Sequence, residues 1–184
     1  MKNQSDIKNI IDDAWLNIGQ NQRVINPFNM DTDEEFTTKL TWLMTNPEYF
    51  SFICKEIFNV EVLPVQALML KEMWNRKFPM LIASRGFGKS FILSLYSMMR
   101  ALLFPGRKIV IVGAAFRQSK VLFEYMDTIW RNAPILRDIV GGNSGPRRDV
   151  DRCRMILGDS TVTCLPLGDG SKIRGQRAND IVAD

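Results

Sequence analysis

The run Pro79 to Leu95, PMLIASRGFGKSFILSL, constrains this chain more than any other stretch. Met80-Leu81-Ile82-Ala83 is an unbroken apolar run, the pattern of a strand buried on both faces. Ser84-Arg85-Gly86-Phe87-Gly88 is a glycine-bearing turn. Lys89-Ser90 then opens a helix in which Phe91, Ile92, Leu95, Met98, Met99 and Leu102 recur at the spacing of one packed face. Strand, glycine turn, Lys-Ser and helix, in that order, is the context of a phosphate-binding loop. The N–H groups of Ser84 through Ser90, with the helix N-terminus behind them, would surround an anionic phosphate. Lys89 would add a point charge on the terminal phosphates, and the Ser90 hydroxyl would ligate Mg²⁺.

The pattern departs from G-x-x-x-x-G-K-[ST] at its first glycine, where this chain has Ala83. A chance Gly-Lys-Ser between two apolar runs is the competing reading, but it must produce strand, turn and helix in order by accident. Arg85 is a second cation inside the turn. A solvated loop arginine is the bland reading; in so short a loop it lies close to the phosphates, which favours a charge-stabilising role.

The 184 residues suit a single sheet with helices on both faces. Hydrophobic residues at 46% and charged residues at 24% are ordinary for a globular protein, and the net charge, 24 − 20 = +4, permits a polyanionic partner without requiring one. No apolar run approaches a membrane span and the N-terminus lacks a signal-peptide core, so neither a membrane nor export is expected. Cys54, Cys153 and Cys164 lack metal-binding spacing and read as reduced thiols of a cytosol. The chain has no histidine, which excludes His-based catalysis and His metal sites.

Upstream, Ile7, Ile10, Ile11, Ala14, Trp15 and Ile18 mark one helix, with Ser5 as a candidate N-cap. Thr32-Asp33-Glu34-Glu35 opens a second that carries Phe36, Leu40 and Leu43 inward, and Asn46-Pro47 starts a third through Phe58. Residues 1–60 are therefore expected to form a helical subdomain, and residues 61–184 the main α/β unit. Gln66 begins a further helix, 23 residues before Lys89. Its amide suits both edges of adenine, and a solvated glutamine at a helix start is an equal alternative.

Downstream, Lys108–Gly113 reads as a second buried strand and Ala115–Trp130 as an amphipathic helix, giving a β-α-β-α succession and a parallel, doubly wound sheet. Gly141–Asp151 reads as loop; Arg147, Arg148, Arg152 and Arg154 cluster there, interleaved with Asp149 and Asp151, and the mixed sign favours a solvated, mobile loop over a dedicated DNA patch. Gly158-Asp159-Ser160 marks a hairpin between Arg154–Leu157 and Thr161–Leu165. Residues 168–177 form a second glycine-rich cationic loop that leads to Asp180-Ile181-Val182-Ala183-Asp184. A buried strand ending in aspartate is the second half of a phosphate-loop NTPase, so Asp180–Ala183 is expected to be buried and Asp184 to hold Mg²⁺ through water.

Together, Ser84-Arg85-Gly86-Phe87-Gly88-Lys89-Ser90, Gln66 upstream, and Ile173-Arg174-Gly175 before Asp184 resemble the large terminase subunit of tailed bacteriophages over about residues 60–184. That resemblance implies a phosphate-loop ATPase of the additional-strand type, with a parallel sheet, that drives double-stranded DNA into a procapsid and is joined to a nuclease domain. It makes Ala83 and Arg85 expected features. It implies that Gln66 binds adenine, that Lys89 binds the β- and γ-phosphates, and that Ser90 and Asp184 hold Mg²⁺. Arg85 becomes a sensor or cis finger, and Arg174, with Arg177 as its neighbouring candidate, a trans-acting finger. ATP and Mg²⁺ are the implied cofactors. The implied partners are duplex DNA, the portal protein, the small terminase subunit and further copies in a ring, docked on a procapsid portal in the host cytoplasm. The glutamate that ATPases carry after this aspartate would be residue 185, so residues 1–184 alone are expected to bind ATP weakly and turn it over little, with endonuclease activity residing elsewhere. A helicase-like DNA-dependent ATPase and a nucleotide-binding structural module without turnover are the alternatives.

Overall fold

A computed structural model describes residues 38, 41–150, 152–167, 175 and 177–184. The expected helix of residues 5–20, the loop at 168–174 and Arg174 lie outside the described residues. Residues 41–45 are helical. The Asn46 side chain accepts from the Glu48 N–H at 3.1 Å, and Pro47 sits in the first turn of the short 3-10 segment Pro47–Tyr49, as the Asn-Pro pair predicts. Helix α1 (Phe50–Glu56) follows, then α2 (Pro64–Asn75) and α3 (Lys89–Leu103). Strand β1 (Lys108–Gly113), helices α4 (Phe116–Asn132) and α5 (Pro134–Val140), and strands β2 (Gly145–Arg148), β3 (Cys153–Leu157), β4 (Ser160–Pro166) and β5 (Asp180–Ala183) complete the described elements.

The sheet order is β2-β3-β4-β1-β5. Strands β4, β1 and β5 are parallel, while β3 runs antiparallel to both β4 and β2. The expectation of a parallel sheet is therefore corrected to a mixed one. The two-residue turn Gly158-Asp159 returns the chain directly beside itself, with Leu157 opposite Ser160, which only antiparallel strands permit. The segment 141–151, read as loop, contains β2: its Gly145–Arg148 pair with Ile156–Cys153. Short polar edge strands of this kind carry no apolar alternation to announce them.

Met80–Ala83 is a second correction. It is not a strand of the sheet, and Met80 and Ile82 are 86% and 87% exposed. A strand exists only where hydrogen bonds pair it, and among the described residues the sheet ends at β5, which pairs with β1 and leaves the apolar run as unpaired chain. β5 itself was expected to be buried; as an edge strand it buries Val182 while Ile181 is 70% exposed.

Helices α3 and α4 pack against each other and against one face of the sheet. That face supplies Ile109, Ile111, Met155, Leu157, Val162, Cys164 and Val182; the helices supply Ile92, Leu95, Met98, Met99, Leu122, Phe123 and Met126. Each such side chain, moved from water to full burial, contributes roughly 1.5–3 kcal/mol before the entropy of ordering is subtracted. Phe50, Ile53, Cys54 and Phe58 of the α1 region join the same core. Alternation sends Val110, Val112 and Leu165 to the opposite face, where they form a smaller cluster. The hydroxyl of Ser94, fully buried between the helices, has Ser90 O at 2.6 Å and Leu122 O at 3.0 Å as acceptors for its one proton, so the polar atom is satisfied where α3 meets α4.

Where β1 turns into α4, a Cβ on Gly113 would lie 2.9 Å from both the Gln118 Cβ and the backbone nitrogen of Ser119. Backbone cannot move aside cheaply, so Gly113→Ala is expected to cost about 1–3 kcal/mol, read as a lowered denaturant midpoint.

At the opposite end of strands β1 and β5, Arg107 donates through Nε and Nη2 to the two carboxylate oxygens of Asp180, and Arg100 Nη2 donates to Oδ1 at 3.1 Å. Burial alone raises the Asp180 carboxyl. The Arg107 hydrogen bond and the charges of Arg100 and Arg107 outweigh it and hold the group below the usual carboxylate range. A depressed folded-state pKa gives stability that is fully present above the unfolded value, about 3.9. It is lost as pH falls through the folded value. The stability gap between wild type and Asp180→Asn should therefore be constant near neutrality and close below about pH 4. Paired denaturant melts at pH 7 and pH 3 check this.

Candidate phosphate-binding site

The loop is built by its glycines. Gly86 has φ +81° and Gly88 φ +84°, ψ +24°, conformations that side-chain-bearing residues rarely adopt. Gly88 occupies the N-cap of α3, and no side chain caps that end. The Ile92 N–H reaches back to Gly88 O at 3.0 Å, so the helix begins at Lys89, and its first-turn N–H groups face the loop.

Lys89 folds over the loop, its Nζ donating to Ala83 O and Ser84 O, both at 2.8 Å. The ammonium thus stands at the mouth of the turn, held by two carbonyls rather than by a carboxylate. Arg85 and Ser84 are exposed, while Phe87 is half-buried.

Gln66 arrives from α2. Its Oε1 accepts from the Leu63 N–H at 3.0 Å, which fixes the amide at the helix start, and its Nε2 lies against Gly88, within 3.2 Å of where a Cβ would stand. The amide therefore borders the phosphate loop, while its oxygen is engaged by its own helix.

The fourth element is the end of β5. Asp180 lies opposite Ile109 and Val182 opposite Ile111, so alternation directs Asp180, Val182 and Asp184 to the face that carries α3. The Asp184 N–H donates to Val112 O at 3.0 Å, which extends the ladder by one residue. The Ser90 Oγ–H then donates to Asp184 Oδ2 at 3.2 Å, across 94 positions of sequence. A hydroxyl and a carboxylate oxygen, both hard donors, converge beside an uncapped helix end and an ammonium. Mg²⁺ takes one or two such protein oxygens and completes its shell with phosphate oxygens and water, so these donors fit it. Among the described residues no group of three or more Asp, Glu or Cys is placed to hold a metal by itself.

Loop, Lys89, Ser90, Gln66 and Asp184 are thus brought together. Arg177 is exposed, and Arg174 is outside the described residues. Sequence reasoning missed the carboxylate chemistry elsewhere. Asp127, 5% exposed on α4, is held by Arg131 at 3.1 and 3.0 Å and by Arg148, which also covers the Phe123 ring. Asp127, Arg131 and Arg148 line an open hollow of about 400 Å³ on α4, remote in sequence from the loop and already neutralised by its own ion pairs. Arg152 and Arg154 pair with Asp149, at 3.1 and 3.6 Å.

No protein-family model matches this chain, and no curated protein matches it. No helix among the described residues is long and apolar enough to cross a membrane.

Proposed function

We propose that this chain binds Mg·ATP in the Gly86–Ser90 loop and is the ATPase part of a DNA-packaging motor of the large-terminase type. The observation that carries the nucleotide site is the Ser90–Asp184 contact, because two residues so far apart in sequence meet at the one place where a phosphate-loop NTPase needs both.

Bound there, Mg²⁺ would be held by Ser90 Oγ and Asp184 and would supply charge neutralisation to the phosphates. The chain's own groups do the rest. The N–H groups of the loop and of the α3 N-terminus bind the phosphates in a fixed array. Lys89 exchanges its two carbonyl partners for phosphate oxygens. Arg85, exposed in the turn, takes up charge that develops on the γ-phosphoryl as water attacks in line. Gln66, bordering Gly88, contacts the nucleotide from the α2 side. The coupling to duplex DNA, the portal and small-terminase partners, and assembly in a ring rest on the motif constellation Gln66, Ser84–Ser90 and Asp184 as a whole.

Steady-state ATPase of the polypeptide at its natural length, with and without duplex DNA, run beside a strand-separation assay, tests the reading. Duplex-stimulated turnover without strand separation is expected. Strand separation would move the protein to the helicases, and nucleotide binding without turnover under all conditions would leave a structural nucleotide module.

A further inference from the structure

Strand β5 has little of its own to fix its place. It is four residues long, lies at the sheet edge, and has one buried side chain, Val182. A slip of two residues along β1 would keep Val182's face and move Asp184 by about 7 Å, out of reach of Ser90. Something else must set the register.

That role falls to the start of the strand. The Asn179 N–H donates to Lys108 O at 2.8 Å, and the Lys108 N–H donates to Asn179 Oδ1 at 2.9 Å. One residue on, Asp180 receives Arg107 and Arg100. Arg107 is itself fixed: its N–H donates to Ser160 Oγ at 3.0 Å and its carbonyl accepts from the Thr161 N–H at 2.9 Å. Arg100 lies 4.9 Å from the Trp74 ring centre and 4.8 Å from that of Phe104, so its position is set by packing.

Arg100 and Ser90 belong to the same helix. Ten residues of helix span about 15 Å, and the four residues from Asp180 to Asp184 span about 13 Å of strand. Helix α3 and strand β5 are therefore tied at both ends by ties of matched length: Arg100 to Asp180 at one, Ser90 to Asp184 at the other. The Arg100 Nε is buried without a hydrogen-bond partner, so the cluster is not arranged for maximum stability. Beside the stability that Asp180 contributes near neutrality, the cluster fixes geometry.

We propose that Asp180, gripped by Arg107 and Arg100, is a positioning residue that sets the register of β5 so that Asp184 meets Ser90 at the metal site. The inference rests on the nucleotide reading above. Removing the grip leaves the loop and Lys89 untouched, so nucleotide still binds without metal, but the gain in affinity that Mg²⁺ confers is lost.

The test measures binding of a fluorescent ATP analogue in Mg²⁺ and in EDTA for wild type, Asp180→Ala, and the milder Asp180→Asn and Arg107→Lys. The ratio of the two affinities should fall about tenfold or more in Asp180→Ala, the size of effect seen when a group orienting a metal ligand is removed, with the EDTA value unchanged. The milder variants should fall between. A merely structural role would lower both affinities together and leave the ratio intact, and that result overturns the proposal. A second readout is independent of nucleotide: oxidative cross-linking of Ser90→Cys with Asp184→Cys. The native Cys54, Cys153 and Cys164 are all buried and do not compete. Cross-linking should slow severalfold when Asp180→Ala is added. If wild type shows no Mg²⁺ gain, the nucleotide reading fails, and the cross-linking rate alone decides the positioning claim: an unchanged rate overturns it.

Discussion

Lys89→Ala is expected to reduce ATP turnover by about a hundredfold or more while the fold survives, because the lysine serves the ligand far more than the chain. Its only bonds in the described structure are to two loop carbonyls, Ala83 O and Ser84 O, at 2.8 Å each. Those carbonyls border exposed residues, so water replaces the ammonium there, and the cost to stability should stay near 1 kcal/mol. With phosphate present the balance reverses. An anion in a loop with an uncapped helix end loses the cation nearest the helix start, and the exposed Arg85 is left as the loop's remaining positive charge. Turnover and denaturant midpoint measured on the same preparation separate the two effects. Turnover retained within a few-fold would make Lys89 a staple for the turn and nothing more.

Phe123→Ala should have the largest effect on stability, about 3–5 kcal/mol. The ring is fully buried on α4, in the cluster shared by α3, α4 and the sheet, and Arg148 covers it from outside, 5.2 Å from the ring centre. Alanine would leave a cavity beneath an arginine, and that arginine is committed to Asp127 and cannot collapse into it. Urea unfolding checks this: the midpoint should drop with the slope unchanged. Because α4 carries none of the residues proposed to bind nucleotide, any surviving folded fraction should bind nucleotide with unaltered affinity, which contrasts with Lys89→Ala.

The sequence made some of this structure legible because certain signals are local. Lys108–Gly113 is a strand over the residues its apolar run marks, and α3 and α4 follow the spacing of Ile92, Leu95 and Met99 and of Leu122, Met126 and Ile129. The hairpin at Gly158-Asp159 is where its turn residues put it. What failed was non-local. Met80–Ala83 has the composition of a buried strand, yet pairing requires a partner at hand, and composition cannot supply one. The direction of β3 and the existence of β2 depend on which strands meet, which no apolar period encodes in Gly145–Arg148. The site shows the same division. Gly86, Gly88 and Lys89 are set by local backbone geometry and were readable. The meeting of Ser90 with Asp184 was inferred from motif order, whereas the Asp180 grip that supports it joins residues from three separate stretches and left no sequence signal.

The central claim is that Ser90 and Asp184 act on one metal-bound nucleotide, and a double-mutant cycle tests it most directly. Mg²⁺-dependent ATP-analogue affinity would be measured for wild type, Ser90→Ala, Asp184→Asn and the double variant. The account predicts that each single change removes most of the Mg²⁺ gain and that the double change removes little more, the non-additivity of two groups serving one ion. Single changes without effect on the Mg²⁺ gain, or effects that simply add, would show that the 3.2 Å contact is a surface hydrogen bond and not a metal site.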